Sequence, residues 1–401
     1  MTTKQQNKNT APMIYTIQPP ELLHAQIRLP ASKSISNRIL ILNALSKSVY
    51  PIENLSDSDD TQVLMKALLS LQTGNAAFDT GAAGTSMRFL TAYLAQNEGV
   101  WTITGSERMK NRPIRILVDS LREIGGKIEY MEKEGFPPLQ IHGRKLTGGA
   151  IRLNGGVSSQ YLSALMMIAP ATQQGLDIRL EGTVVSRPYI DMTAHLMQTF
   201  GIETLWDGER IRIEPQAYQP VPFKVESDWS AASYWYEIAA LAENSGDVEL
   251  IGLESNSIQG DARVAQLFKT GIGGEVDFTN EPDLAQTLAV TCCLLNIPFH
   301  FTGLQSLRIK ETDRIAALQT ELKKLGYAVK TGGAEMEWAG ERCESEPDPV
   351  ISTYDDHRMA MAFAPVCLKT GKIRISNPEV VSKSYPAFWK DMEKAGFRIM
   401  E

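Results

Sequence analysis

The stretch Leu196-Met-Gln-Thr-Phe-Gly201-Ile-Glu203 closes an amphipathic run with a glycine and continues as an apolar, strand-like segment. Met392-Glu-Lys-Ala-Gly396-Phe-Arg-Ile399 does the same near the end of the chain. A glycine just past the last helical turn is the expected terminator, because it takes the left-handed backbone without a Cβ penalty. Gly74, Gly125, Gly271 and Gly326 close similar stretches, most of them followed by a strand-like run.

Working outward, a second series lies about 40–43 residues upstream of these glycines: Ser34, Gly84, Ser158, Asp228, Asp283 and Asp356. Each is a polar or glycine turn before an apolar helix, and successive members are about 50, 74, 70, 55 and 73 residues apart. Short, long, join, short, long describes two halves of three similar units, and such repetition is read before local detail. Each unit reads as strand, polar turn, helix A, strand, helix B with its glycine stop, and a further strand. Residues 162–169 and 288–295 are apolar all round, which predicts buried helices. The Pro-rich residues 215–224 mark the join between halves. The strand at 13–17 lies outside the first unit and is placed with the second half. The expected domains are therefore residues 31–225, and residues 1–30 plus 226–401, with two chain crossings between them.

Composition fits that size. The chain has 401 residues, 43% of them hydrophobic, more than a single core of ~250–300 residues holds. No apolar stretch approaches the roughly 20 residues of a membrane span. Residues 1–10 are polar without an apolar core, so they read as a frayed tail and not as a signal peptide. The net charge of −7 argues against a nucleic-acid surface. Cys292, Cys293, Cys343 and Cys367 show no metal spacing and read as reduced thiols of a cytoplasmic protein. No HExxH occurs among the scattered histidines, so a zinc site is not expected.

Against this acidic background, cations gather at the unit starts. Lys33, Ser34 and Arg38 open the first unit, and Gly84, Thr85 and Arg88 the second. Arg112 precedes Pro113, which suits a first helical position. Ser158, Ser159 and Gln160 open the third, whose helix B begins at Ser186, Arg187 and Tyr189. Asp283, His357, Arg358 and Lys383 follow in the second half. The run Leu307-Arg-Ile-Lys-Glu-Thr-Asp-Arg314 puts Lys310, Glu311 and Arg314 in one turn before a helical repeat of leucines. Cations at a helix start oppose its positive end unless an anion lies between them. Singly, these residues have plain readings as caps, turn glycines or exposed faces, and Asp59 and Asp60 read as ordinary caps. Together they predict a cleft between the halves, lined by helix starts, hydroxyls, Arg and Lys, for ligands rich in phosphate and carboxylate. Separated cation sets would repel, which predicts a cleft that closes when an anion binds.

Leu29-Pro-Ala-Ser-Lys-Ser-Ile-Ser-Asn-Arg38, Ala83-Gly-Thr-Ser-Met-Arg88, Arg108-Met-Lys-Asn-Arg-Pro113, Val157-Ser-Ser-Gln160, Arg308-Ile-Lys-Glu-Thr-Asp-Arg314 and Asp356-His-Arg-Met359 resemble, in order, the signatures of the EPSP synthase family. The resemblance implies an α/β fold of two similar domains, each of three βαβαββ repeats forming an inside-out α/β barrel, with the site in the interdomain cleft. It implies transfer of the enolpyruvyl group of phosphoenolpyruvate to the 5-hydroxyl of shikimate 3-phosphate, with release of phosphate and without metal or organic cofactor. This is a step of the shikimate pathway to chorismate and aromatic amino acids. The implied catalytic residues are Asp283 as base, Glu311 and Lys33 for the other proton transfers, and His357 close to the reacting centre. Lys33, Ser34, Arg38, Ser158, Ser159, Gln160, Ser186, Asp283, Ser306 and Lys310 match contacts to shikimate 3-phosphate. Lys33, Gly84, Arg112, Gln160, Arg314, Arg358 and Lys383 match contacts to phosphoenolpyruvate. Arg88 and Tyr189 fall to the cleft wall or behind it.

Three positions depart from the family pattern. Ala82 stands where Asn is frequent, Phe89 where Pro is frequent, and Ser306 where Asn is frequent. The first two bear on sensitivity to the inhibitor glyphosate, and the shorter Ser306 predicts a lost or water-mediated contact. A UDP-N-acetylglucosamine enolpyruvyl transferase would carry a loop cysteine, and none occurs before Cys292. A non-catalytic anion-binding repeat protein would explain the cations but not Asp283 and Glu311 among them. The expected partners are the two small substrates, with no nucleic acid and no membrane, and a monomer is the default.

Overall fold

The computed structural model describes residues 13–243 and 245–401. The polar tail at residues 1–10 lies outside the described residues. After β1 (Ile14–Gln18), the first unit contains β2 (Leu23–Arg28), α1 (Lys33–Leu45), β3 (Ile52–Glu53) and α2 (Asp59–Leu71). The second contains β4 (Ala77–Asp79), α3 (Gly84–Gln96), β5 (Gly99–Thr104), α4 (Arg115–Glu123), β6 (Lys127–Tyr130) and β7 (Leu139–Gly143). The third contains β8 (Gly149–Asn154), α5 (Ser159–Ile168), β9 (Leu176–Glu181), α6 (Arg187–Thr199), β10 (Leu205–Trp206) and β11 (Arg210–Ile213). The fourth is again brief: β12 (Phe223–Lys224), α7 (Trp229–Leu241), β13 (Ser245–Ile251) and α8 (Arg263–Thr270). The fifth contains β14 (Gly274–Asp277), α9 (Ala285–Leu294), β15 (Phe299–Thr302), α10 (Arg314–Lys324), β16 (Lys330–Thr331) and β17 (Met336–Trp338). The sixth contains β18 (Val350–Ile351), α11 (His357–Phe363), β19 (Ile373–Ser376), α12 (Phe388–Lys394) and β20 (Arg398–Met400).

Four sheets share one topology. Their orders are β4-β5-β7-β6, β8-β9-β11-β10, β14-β15-β17-β16 and β18-β19-β1-β20. In each, the first pair is parallel and spanned by a helix, and the other two pairs are antiparallel. β1 takes the place in the sixth unit that β7, β11 and β17 take in theirs.

The first and fourth units have no closing hairpin, since their short spans end where the next unit begins. They exchange strands instead: β2 pairs parallel with β13, and β3 pairs parallel with β12. The two chain crossings lie side by side. Ser32 N donates to Glu226 O (2.8 Å), and Asp228 N donates to Pro30 O (2.9 Å).

Two hydrophobic cores result, one drawn from Ala31 to Val225, the other from Ile17 to Leu29 together with Trp229 to Phe397. In each half the three A helices pack on one another, α1 with α3 and α5, and α7 with α9 and α11. Every residue of α9 is buried, as are Tyr161–Ile168 of α5. A helix enclosed by two others and a shell of sheets has no face left for polar side chains, which is why these stretches lack amphipathic periodicity. The six stop glycines all have positive φ. At Gly201 (φ 80°) and Gly396 (φ 93°) an L side chain would be strained, so the stop is built into the residue type.

Two local expectations need correction. Pro113 does not start α4, which begins at Arg115; its carbonyl instead accepts from Arg88 Nη2 (3.1 Å) and Tyr161 OH (2.6 Å). Of the charged group at 310–314, only Arg314 is helical. Lys310 and Glu311 occupy the turn between a 3-10 segment (Gln305–Ile309) and α10, whose N-cap Asp313 accepts from Ala316 N (3.1 Å). A carboxylate therefore meets the positive helix end, and the cations beside it are free to face elsewhere.

Candidate active site

The starts of the A helices from both halves converge on one polar cavity. From the first half come Lys33, Ser34, Arg38, Asp60, Gly84, Thr85, Arg112, Ser158, Ser159, Gln160 and Tyr189. The second half contributes Asp283, Lys310, Glu311, Arg314, His357 and Arg358. Lys383 stands behind Glu311, its Nζ 3.1 Å from Oε1. Ser186 and Ser306 line an adjoining recess with Ser158, Ser159, Gln160 and Lys310. Every residue that the family resemblance assigns to catalysis or substrate contact is thus in or next to this cavity. Arg187, singled out with them as a unit-start cation, is not: it pairs with Asp191 (3.6 Å) and lies over Trp206.

The cations are already engaged by carboxylates. Arg314 is 2% exposed and engaged through all three nitrogens: Nε donates to Asp356 Oδ2 (2.7 Å), Nη1 to Asp283 Oδ1 (2.7 Å) and Nη2 to Glu311 Oε2 (3.0 Å). Asp283 also receives Arg358 Nη2 at Oδ2 (3.1 Å), with Lys310 Nζ 3.5 Å from Oδ1. Arg112 reaches Glu311 across the cleft at 3.9 Å, and Lys33 lies 3.8 Å from Asp60. A ligand anion therefore reaches Arg314 or Arg358 by displacing Asp283 or Glu311, not by filling a bare positive hole.

This arrangement sets protonation. Burial alone would raise the Asp283 carboxyl, but Arg358, Lys310 and Arg314 hold it well below the usual carboxylate range. Burial likewise opposes the charge on Glu311, and Lys383, Arg314 and Arg112 overcome it, so Glu311 is also held well below. His357 is 1% exposed, and both ring nitrogens lack a hydrogen-bond partner among the described residues. Burial, then Lys33 and Arg358, push it well below its usual value, so it is a neutral imidazole. Burial, with Asp261 and Asp283 nearby, keeps the Tyr189 phenol protonated, and it donates to Asp283 Oδ2 at 3.5 Å.

Other residues shape the walls. A Cβ on Gly84 would lie 2.6 Å from Arg112 Nη1, so the glycine is what admits the guanidinium. Arg38 is buried, not an exposed face: it donates to Thr193 Oγ1 (2.7 Å), Ser163 Oγ (2.9 Å) and Ser34 O (2.9 Å). Its guanidinium lies over the Phe89 ring at 5.5 Å, one of the three departures from the family pattern. Ala82 is exposed in the turn before α3. The Ser306 hydroxyl is buried without a partner among the described residues. Gln160 Nε2 donates to Thr85 Oγ1 (3.2 Å), joining two unit starts.

Sequence reasoning missed two carboxylates. Asp60 lies in the first turn of α2, where an acid is ordinary, and nothing in its neighbours marks it as a cavity residue. Asp356 reads as an N-cap, and it is one, accepting from Arg358 N (2.9 Å). It also clamps Arg314 from another unit, which spacing cannot reveal.

The family model of EPSP synthase (3-phosphoshikimate 1-carboxyvinyltransferase) matches residues 17–77 and 69–392. A Bacteroides fragilis protein named 3-phosphoshikimate 1-carboxyvinyltransferase is 55% identical over 96% of this chain and 99% of its own. One of the same name from Vibrio cholerae serotype O1 is 38% identical over 93% and 97%. The solved EPSP synthase of Acinetobacter baumannii superposes over 97% of this chain and 100% of its own with a TM-score of 0.78, at 21% identity, which supports the fold. With the family model spanning nearly the whole chain and relatives this similar, the chain belongs to the EPSP synthase family.

Proposed function

We propose that this protein is a 3-phosphoshikimate 1-carboxyvinyltransferase. It transfers the enolpyruvyl group of phosphoenolpyruvate to the 5-hydroxyl of shikimate 3-phosphate, within the shikimate pathway. The observation that carries this is the pairing of two carboxylates, Asp283 and Glu311, with cations from both halves in one cavity. A site for anions alone gains nothing from buried acids; one that must also move protons needs them.

In addition, the acceptor hydroxyl loses its proton and its oxygen bonds to C2, while C3 of phosphoenolpyruvate gains a proton and becomes a methyl. In elimination, the C2–O bond to phosphate breaks and C3 gives a proton back, leaving the enol ether. Asp283 takes the hydroxyl proton, and Glu311 and Lys33 serve C3 and the leaving phosphate. The neutral His357 donates a hydrogen bond close to the reacting centre. Lys33, Arg112, Lys383 and the Gly84 turn receive the donor phosphate, with Arg314 and Arg358 for its carboxylate and Gln160 between the substrates. Ser34, Arg38, Ser158, Ser159, Ser186, Ser306 and Lys310 hold the acceptor.

Asp283 in its ion pairs is a weak base. A donor carboxylate that draws off Arg314 and Arg358, and an acceptor phosphate that draws off Lys310, remove the charges that hold its proton affinity down. Binding of both substrates thus prepares the base.

The two cores support a first domain at 31–225 and a second at 1–30 plus 226–401. The site is assembled within one chain, which favours a monomer. The free cysteines favour the cytoplasm; no helix among the described residues is long and apolar enough to cross a membrane. Phosphate release from phosphoenolpyruvate with shikimate 3-phosphate, and separately with UDP-N-acetylglucosamine, tests the assignment. Release with the first acceptor alone is expected; release only with the second, or with neither, overturns it.

A further inference from the structure

Behind the donor side of the cavity lies a carboxylate that the mechanism above does not use. Asp261 sits in a single 3-10 turn (Gly260–Ala262) at the entrance to α8 and is 4% exposed. Its one side-chain hydrogen bond among the described residues comes from the Ser230 hydroxyl, in the first turn of α7. Ser230 Oγ in turn accepts from Arg358 Nη2 (3.3 Å), the same nitrogen that donates to Asp283 (3.1 Å). Arg358 Nη1 donates to Tyr234 OH at 3.3 Å. The guanidinium is therefore held from behind by two hydroxyls and in front by a carboxylate.

A serine hydroxyl has one proton, and its direction matters. While Asp261 is ionised, it accepts that proton, and a lone pair of Ser230 faces Arg358. When Asp261 is protonated, its own O–H points at Ser230. The serine proton is then no longer drawn to the carboxylate, and the hydroxyl loses the fixed orientation that aims a lone pair at Arg358. We propose that Asp261 is a positioning residue for the donor subsite: through the Ser230 hydroxyl it fixes the Arg358 guanidinium in the orientation that receives the carboxylate of an enol phosphate. The inference rests on the proposed function, in which Arg358 binds that carboxylate.

The charged and titratable groups facing Asp261 are Arg358 from α11, Asp283 from the turn before α9, Asp228 at the cap of α7 and Tyr189 from α6. Burial raises the Asp261 carboxyl to about 7, with Asp283 and Asp228 adding to the rise and Arg358 and Ser230 opposing it. The relay therefore changes state near neutral pH, ionised above that point and protonated below it.

The test is steady-state kinetics of Asp261→Asn and the parent from about pH 6 to 9, varying each substrate. The KM for phosphoenolpyruvate is expected to rise about tenfold in the variant at pH 8, roughly the loss of one charged hydrogen bond. The kcat and the acceptor KM should change far less. The parent's kcat/KM for phosphoenolpyruvate should fall below about pH 7, and the variant's should not follow it. Ser230→Ala should reproduce the rise, and the double variant should be no worse than either single one. An unchanged donor KM and pH profile overturns the inference. So does an equal loss for both substrates, which is what general misfolding produces.

If the parent itself does not turn these substrates over, the proposed function falls. The positioning is then read from the nitrogen NMR signals of the Arg358 guanidinium, assigned with Arg358→Lys. Rotation slowed in the parent and freed in Asp261→Asn supports it; rotation equally free in both overturns it.

Discussion

Asp283 shows how much one residue's role depends on its neighbours. It is an acid held ionised by three cations, and in the proposed mechanism it becomes a useful base only when substrates compete for them. Asp283→Ala is expected to lower kcat by about a hundred- to ten-thousand-fold, the usual contribution of a positioned base. Shikimate 3-phosphate should still bind, because the variant frees Lys310 for its phosphate; calorimetry measures this. Unimpaired turnover would remove Asp283 as the base. Gly84 gives a sharper test of the donor side. Its missing Cβ leaves room for Arg112, and Gly84→Ala would put a methyl against Nη1. The end of an arginine moves easily, so melting temperature should hold while the KM for phosphoenolpyruvate rises several-fold and the acceptor KM stays. Loss of stability, or equal effects on both substrates, would count against this. These residues were legible in the sequence because each sits at a unit start, where the repeat marks it. Asp60, Asp261 and Asp356 were not, because an acid near a helix start is the ordinary cap, and only the fold shows which cation it faces.

At the scale of elements, the repeat pattern predicted helices well because each has a polar start and a glycine stop. It could not predict the exchange of β2 and β3 with β13 and β12: strands as short as Ile52–Glu53 and Phe223–Lys224 carry no periodicity to read. The packing of α7 against α9 holds another unread feature. Glu237 of α7 is 0% exposed, and neither carboxylate oxygen has a partner among the described residues. The Thr291 hydroxyl beside it is given instead to Thr287 O (2.8 Å). Burial raises this carboxyl well above its usual value, so the folded protein keeps a proton that the unfolded chain releases. Stability from this group is therefore fully present below the unfolded pKa and falls as pH rises toward the folded one, by about 1.4 kcal/mol per pH unit. Glu237→Gln keeps the shape and cannot ionise. Its stability relative to the parent should increase steadily from about pH 5 to 8 in chemical denaturation. A constant offset across that range would show that Glu237 is ionised in place.

For the whole molecule, the sequence suggested two cation-lined halves that repel until an anion arrives. Carboxylates change that balance. Glu311 lies between Arg314 and Lys383 of its own half and Arg112 of the other, at 3.0, 3.1 and 3.9 Å. It already does part of what a substrate anion would do. Other hydrogen bonds between the halves, among the described residues, include Lys33 N to Asp228 Oδ2 (3.3 Å), Ser186 N to Thr279 O (2.8 Å), Arg108 Nη2 to Lys310 O (3.5 Å), Tyr189 OH to Asp283 (3.5 Å), and Ser382 to Asp59. The two crossings at Pro30–Ser32 and Glu226–Asp228 are the covalent joints about which the halves could move. Neutralising Glu311 leaves three cations facing one another, at an interaction of about 1–4 kcal/mol for a close pair, depending on solvent access. Glu311→Gln should therefore have a larger radius of gyration than the parent by small-angle scattering without ligand. The difference should shrink as salt screens the cations, and on addition of inorganic phosphate, which takes the missing charge's place. Superimposable profiles at low salt would mean that neutral contacts and the paired crossings hold the halves, and that Glu311 serves only the chemistry between them.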